Sequence, residues 1–262
     1  MNRFAGIAKL YGAEGLARLA RAHVLVVGLG GVGSWVVEAL ARSGVGALTL
    51  VDGDDVCVSN INRQLHAVEG VIGRPKAEVM AERVRAIHPG CRVTVRALFF
   101  IRQRAEEFFP EPYDYVVDAV DGVTAKATLI GHARRRGIPA ITCGAAGGKV
   151  DPALVQVADL TAVHHDRLLM FTRKLLRKYH GFTPRGRKVF GVPAVFSPEP
   201  VREGLACDVG TKEEAEGEAD ARLACDGRLG AATFVTGVFG FFAAARVIND
   251  LASPGGAPNP ER

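Results

Sequence analysis

Over the first two-thirds of the chain, short apolar runs alternate with longer stretches in which apolar residues recur every three or four positions. The short runs predict strands at Val24 to Val27, Leu48 to Val51, Arg92 to Ala97, Tyr115 to Ala119 and Ala140 to Cys143. The periodic stretches predict helices at Ala8 to Arg21, Val32 to Ser43, Pro75 to Ile87, Arg102 to Phe108 and Thr124 to Arg136. Pro75 suits a helix start, where a missing N–H costs no intrahelical bond. Strands alternating with helices imply βαβ units, hence an α/β fold with a Rossmann-like, mostly parallel sheet flanked by helices. After Gly147-Gly148 a shorter alternating run, Leu154 to Val157, predicts an added strand and an antiparallel portion outside that pattern.

From Asp166 to Asp226 glycine, proline and charge break the periodicity, and residues 203–224 read as an acidic, disordered loop. Leu229 to Ile248 is then almost continuously apolar and approaches the roughly 20 residues that span a bilayer. Its glycines, alanines, two threonines and Arg246 fit a buried C-terminal helix, so no stable membrane insertion is expected. Residues 253–262 read as a disordered tail. The 262 residues suffice for one large domain or two small ones, and the pattern favours a single domain over 1–252.

With 48% apolar residues the chain has material for a continuous core. Its five cysteines, Cys57, Cys91, Cys143, Cys207 and Cys225, form no CxxC pair, which argues against a disulfide framework and a paired-cysteine zinc site. A reducing cytoplasm is the expected location, and the first residues hold no apolar run of signal-peptide length. The net charge of +5 is unevenly spread. A basic arm at 165–190 carries Arg167, Arg173, Lys174, Arg177, Lys178, Arg185, Arg187 and Lys188, whereas Glu203 to Asp220 has seven acids and one lysine.

The chemistry concentrates between Val24 and Lys76. The run VLVV enters a glycine loop, Gly28-Leu-Gly30-Gly31-Val-Gly33-Ser34, and a second run, LTLV, ends at Asp52. Such glycines let backbone approach phosphate at a helix N-terminus, and an acid closing the second strand can hold ribose hydroxyls. That much serves NAD, FAD or another nucleotide equally well. Asp54, Asn62, Arg63, Gln64 and Lys76 follow closely and suit a triphosphate better than a nicotinamide. Arg63 offers a planar fork to phosphate oxygens and Lys76 a point charge, unless both serve surface ion pairs. Asp118-Ala-Val-Asp121 closes another strand, and Asp121, past the strand end, is the first choice for a magnesium ligand.

The set GLGGVGS, VDGDDV, SNINRQ, GRPK and DAVDG resembles the ATP-binding half of the ubiquitin-activating-enzyme-like superfamily, which includes ThiF, MoeB and HesA and adenylates carboxylates. The resemblance implies that Asp52 binds ribose, that Asn60, Arg63 and Lys76 bind phosphates, and that Asp121 holds magnesium. It also implies a homodimer in which Arg3 reaches the neighbouring subunit's site, although Gly6 stands where the family often has a second arginine.

Sulfur-carrier activators of this superfamily carry two CxxC pairs, which this chain lacks, so an activator of a ubiquitin-like sulfur-carrier protein is the alternative reading. The N-terminal segment, DDVCVSNINRQLHA, ITCGAAGGKVDP and GAATFVTGVFGF instead resemble the subgroup that dehydrates threonylcarbamoyladenosine in tRNA. The implied reaction is adenylation of the threonyl carboxylate by ATP and closure of a ring with release of AMP. A tRNA partner would give the basic arm a role, with Phe171, Tyr179 and Phe182 stacking on loop bases; a solvated amphipathic helix with core aromatics is the competing account. The subgroup's association with a cysteine desulfurase and its sulfur acceptor makes Cys225 a candidate sulfur relay, against a plain helix-entry cysteine. A monovalent cation is a further candidate ligand.

Overall fold

The computed structural model describes residues 3–182, 189–202 and 229–254. Among the described residues one seven-stranded sheet carries all the strands, in the order β3-β2-β1-β4-β5-β7-β6. The strands are β1 (His23–Val27), β2 (Ala47–Val51), β3 (Arg92–Arg96), β4 (Tyr115–Asp118), β5 (Ala140–Cys143), β6 (Gln156–Asp159) and β7 (Pro193–Phe196). All neighbours pair in parallel except β6 and β7. The mostly parallel α/β sheet with an added antiparallel portion is therefore present.

Helices cover both faces: α1 (Ala5–Arg21), α2 (Gly33–Arg42), α3 (Lys76–Ile87), α4 (Val123–Arg135), α5 (Arg167–Tyr179) and α6 (Thr233–Ala252). Coverage on both sides explains why β1 and β2 are buried at every position and mostly apolar, with the two polar residues, His23 and Thr49, bonded to each other at 2.9 Å. The predicted helix at Arg102 to Phe108 is a 3-10 turn, and α1 breaks at Gly12, whose φ of 73° is left-handed. Pro75 stands just before α3, as its cap residue. The predicted strand at Leu154 to Val157 is shifted, because Pro152–Leu154 forms a 3-10 turn and the strand starts at Gln156. Two elements, α5 and β7, lie in the stretch that reads as irregular.

The C-terminal helix α6 is long and apolar enough to cross a membrane by length and composition, but half of its most apolar window is buried here. It crosses α2 closely enough that a Cβ on Gly240 would lie 2.7 Å from Trp35 Cβ and 2.8 Å from the Val32 carbonyl oxygen. Its end meets α1, where Arg18 Nε donates to the Ala252 carbonyl at 2.9 Å and Tyr11 donates to Asn249 Oδ1 at 2.8 Å. Arg246, conspicuous in the apolar run, pairs with Asp250 at 2.8 Å, and the same carboxylate accepts from the Tyr115 hydroxyl.

Candidate active site

The strand order reverses between β1 and β4, and in such sheets ligands collect beyond the carboxyl ends at this switch point. The glycine loop leaves β1 here. Gly28 has φ +88°, and a Cβ on it would lie 2.6 Å from the Ala119 carbonyl oxygen just past β4. Gly33 is tighter, since a Cβ there would meet the Gly28 carbonyl oxygen at 1.8 Å. Gly30 has open space, with nothing nearer than Gln64 Nε2 at 3.8 Å. The loop thus turns sharply into α2, whose start carries no side-chain cap. Ser34 is fully buried, and its hydroxyl accepts the Leu65 amide at 3.3 Å, which makes it a brace for the facing loop.

Asp52 closes the cradle. Its Oδ2 accepts from the Leu29 amide at 2.6 Å and its Oδ1 from the Asp54 amide at 2.8 Å. Burial pushes its carboxyl above the ordinary aspartate value, opposed by those two amides and by the Lys76 charge. Beyond it, Gly53 lies under Phe99, at 2.7 Å from a built Cβ to the ring. Phe99 is more than half exposed and gives this end of the cradle an apolar wall, a feature that the plain sequence ALFF does not advertise.

Lys76 reaches the same edge by a local pairing. Asp55 and Pro75 form an antiparallel bridge, the Val56 amide donates to the Arg74 carbonyl, and the Lys76 amide donates to the Asp54 carbonyl at 3.0 Å. The Lys76 ammonium is buried and donates to Asp54 Oδ2 at 2.9 Å. Nearby His66 is buried with neither ring nitrogen bonded; burial first, then Lys76, lowers its pKa to about 4.

Arg63 lies over the glycine loop, 3.3 Å from a Cβ built on Gly31 to its Cγ. Its guanidinium donates to the Ser59 carbonyl at 2.8 Å and to Asn62 Oδ1 at 2.9 Å. Asn62 in turn donates to the Ala231 carbonyl at 2.7 Å, and Trp35 Nε1 donates to the Arg63 carbonyl at 3.2 Å. The entry to α6 therefore clamps this loop. Asn60 is buried and spends Oδ1 on the Cys57 amide, while Gln64 is buried with Oε1 unpartnered.

Asp118 is fully buried and paired with Lys126 at 2.8 Å, with Thr142 donating to the same oxygen at 2.6 Å. It is structural support for the loop that carries the exposed Asp121 past the end of β4. Lys126, hidden in the apolar face of α4, is the partner that sequence reasoning missed; its signal is a lone lysine among residues that face the sheet.

Arg3 lies elsewhere. Its guanidinium donates to the Ile87 carbonyl at 2.9 Å, at the far end of α3, roughly 17 Å of helix from Lys76. In the basic arm, Arg173 points inward, donating to the carbonyls of Leu160 at 2.9 Å and Val163 at 2.6 Å. Lys174, Arg177 and Lys178 are exposed. Phe182 is fully buried against Phe190, so it is a core residue and not a stacking platform for bases, while Tyr179 is half exposed. Arg185, Arg187, Lys188 and Cys225, like the acidic segment 203–224, lie outside the described residues.

Residues 2–256 match the model of the ThiF family. The chain is 47% identical over 255 residues to a Haemophilus influenzae protein named tRNA threonylcarbamoyladenosine dehydratase, covering 95% of this chain and 93% of that one. Crystal structures of the Escherichia coli tRNA N6-threonylcarbamoyladenosine dehydratase, TcdA, superpose closely. The complex with ATP has a TM-score of 0.83 at 43% identity, and the complex with AMP 0.84 at 44%, each covering 95% of this chain and 93% of the other.

Proposed function

The chain belongs to the ThiF family, and from that premise we propose that it is an ATP-dependent enzyme that dehydrates threonylcarbamoyladenosine beside the tRNA anticodon. The observation that carries this reading is the convergence of the glycine loop, the amide-clamped Asp52, Arg63 and the buried Lys76 on one strand-end edge. We take residues 1–252 as one adenylating unit.

The threonyl carboxylate attacks the α-phosphorus of ATP; a new P–O bond forms, the bond to the β-phosphate bridge breaks and pyrophosphate leaves. An internal nucleophile of the modification then attacks the acyl carbon, and AMP departs with the carboxylate oxygen as the ring closes. The nucleoside loses one water overall. A free carboxylate would have to expel oxide, whereas AMP leaves readily.

Asp52, already fixed by two amides, orients ribose through its remaining lone pairs. The amides at the start of α2 face the phosphates. Lys76 and Arg63 stabilise charge building on the leaving pyrophosphate, and Asn60, Asn62 and Gln64 shape the loop that holds Arg63 there. Asp121, at this strand end, would hold magnesium together with the substrate phosphates, as one or two carboxylates commonly do, and the ion would supply further charge neutralisation. Among the described residues no cluster of three or more His, Cys, Asp or Glu forms a closed metal cage.

A homodimer belongs to this reading, because Arg3 acts on ATP only from a partner subunit. So does a cytoplasmic location, where threonylcarbamoylated tRNA and ATP meet. The deciding experiment is mass spectrometry of nucleosides from threonylcarbamoylated tRNA incubated with protein, ATP and magnesium. Loss of one water is expected. No loss, together with pyrophosphate exchange driven by a carrier protein ending in Gly-Gly, would replace this reading with the sulfur-carrier activator.

A further inference from the structure

A second concavity opens beyond β7. It holds about 340 Å3 and is lined by His164, His165, Arg167, Met170, Pro200 and Val201. Because β1, β4, β5 and β7 run in parallel, the loop that follows β7 faces the same edge as the glycine loop. In the sheet order β7 lies three strands from β1, about 14 Å at ordinary strand spacing.

The cavity wall is held from several directions. His165 is the one non-glycine residue with positive φ among the described residues, at 54°, a strained conformation that persists only where its surroundings impose it. Arg173 imposes it from one side by gripping the Leu160 and Val163 carbonyls, which fixes the turn leading into the histidines. Asp166 imposes it from the other, accepting the Leu169 amide at 2.9 Å and the Ala145 amide at 2.9 Å. A Cβ on Gly144 would lie 2.1 Å from the Asp166 carboxylate, so the α5 start is locked to the loop after β5. The His164 ring packs edge-on against Phe196 and His165, and both histidines and Arg167 face solvent.

We propose that this cavity receives the modified adenine of the tRNA anticodon loop, unstacked from its neighbours, with a histidine ring against the base and Arg167 facing the anionic groups of the nucleotide. The assignment rests on the dehydratase reading. Its volume falls in the range of small-molecule sites, and flat imidazole, thioether and proline surfaces beside Arg167 match a planar base whose nucleotide carries negative charge, while the other charged lining residues, Asp166 and Arg173, are spent on backbone amides and carbonyls. Recognition of single-stranded RNA uses such splayed bases on histidine or arginine planes. A base seated here presents its side arm along the strand ends towards the adenylate, while the rest of the loop runs out over α5.

The test compares His165→Gly, which keeps the left-handed backbone and removes only the ring, and Arg167→Gln with the unaltered full-length chain. Anticodon stem-loops with and without the threonylcarbamoyl group are the probes, by fluorescence anisotropy and by steady-state dehydration. The unaltered chain should prefer the modified stem-loop. In both variants that preference should fall and KM for the stem-loop rise about tenfold, with KM for ATP unchanged and the melting temperature no lower. Preference and KM within twofold of the unaltered chain would overturn the cavity assignment alone. Failure of the unaltered chain to release water from the modified stem-loop overturns the dehydratase reading and this assignment with it.

Discussion

Lys76 Nζ lies 2.9 Å from Asp54 Oδ2, with the lysine side chain 6% exposed and the aspartate 54% exposed. The ammonium is thus held at the lip of the cradle by a carboxylate that water already reaches. A phosphate arriving at the glycine loop competes for the ammonium on favourable terms, because Asp54 can return to solvent.

That relationship predicts opposite outcomes for the two partners. Lys76→Ala should lower the rate of AMP formation by a factor on the order of 10² to 10³, as loss of one preorganised charge-stabilising donor does. Asp54→Asn should retain most of the rate. Radiometric measurement of AMP release decides; equal losses in both would mean that the pair acts as a unit.

The glycines of the loop are not equivalent. Gly33→Ala pushes a methyl to 1.8 Å from the Gly28 carbonyl oxygen, whereas Gly30→Ala meets nothing nearer than 3.8 Å. The first should destabilise the protein by about 1–3 kcal/mol and weaken ATP binding; the second should leave the fold intact. Denaturant titration with ATP calorimetry separates them, and a folded, ATP-binding Gly33→Ala protein would contradict the geometry.

Two buried imidazoles set an acid limit on stability. Burial, with Lys76 second, lowers His66 to about 4, and burial, with Arg135 second, lowers His132 to about 4, from 6.5. Between those values the unfolded chain binds the proton and the folded one does not. The stability each contributes is therefore complete above pH 6.5 and drains away as pH falls towards 4, by about 3 kcal/mol for His66 and by less for His132, which lies beside the exposed Glu106. His66→Gln should show a shallower loss of urea midpoint between about pH 7 and about pH 4.5 than the unaltered protein. A parallel decline in both proteins would remove His66 from the account.

The basic residues of α5 divide by direction. Arg177 and Lys178 are exposed, and replacing both by alanine should reduce the slope of log affinity for tRNA against log salt by about 1 to 2. Arg173 is spent on the Leu160 and Val163 carbonyls, so Arg173→Ala should cost about 1–3 kcal/mol of stability and leave the slope unchanged. Filter binding across a salt series, beside thermal melts, checks both. A slope change in Arg173→Ala alone would invert the division.

What could be read along the chain was whatever depends on near neighbours. The apolar runs at β1, β2, β4 and β5 and the periodic stretches between them are local patterns, and parallel βαβ winding follows from their alternation. GLGGVGS between a strand and a helix likewise marks a phosphate loop by local chemistry. The strand β7 escaped because Pro193–Phe196 is only four residues long and stands beyond a charged, glycine-broken stretch. Helix α5 was legible only as the competing account of the basic arm, because its cationic residues mask a buried stripe made by Leu168, Leu169, Thr172 and Leu176.

The sequence by itself determined the α/β winding and the placing of a glycine loop between a strand and a helix, because strand and helix periods and glycine backbone freedom are encoded within a few residues. Only tertiary structure decided which polar side chains are available to a ligand. Ser34 and Arg173 read as chemistry and Asp118 as a support for Asp121 or a helix cap, and all three spend their groups inside the protein, on Leu65, on two carbonyls and on Lys126 respectively. Their partners lie 31, 13 and 10, and 8 residues away in sequence. A buried polar group must find a partner wherever the fold brings one, and no local pattern records where that is.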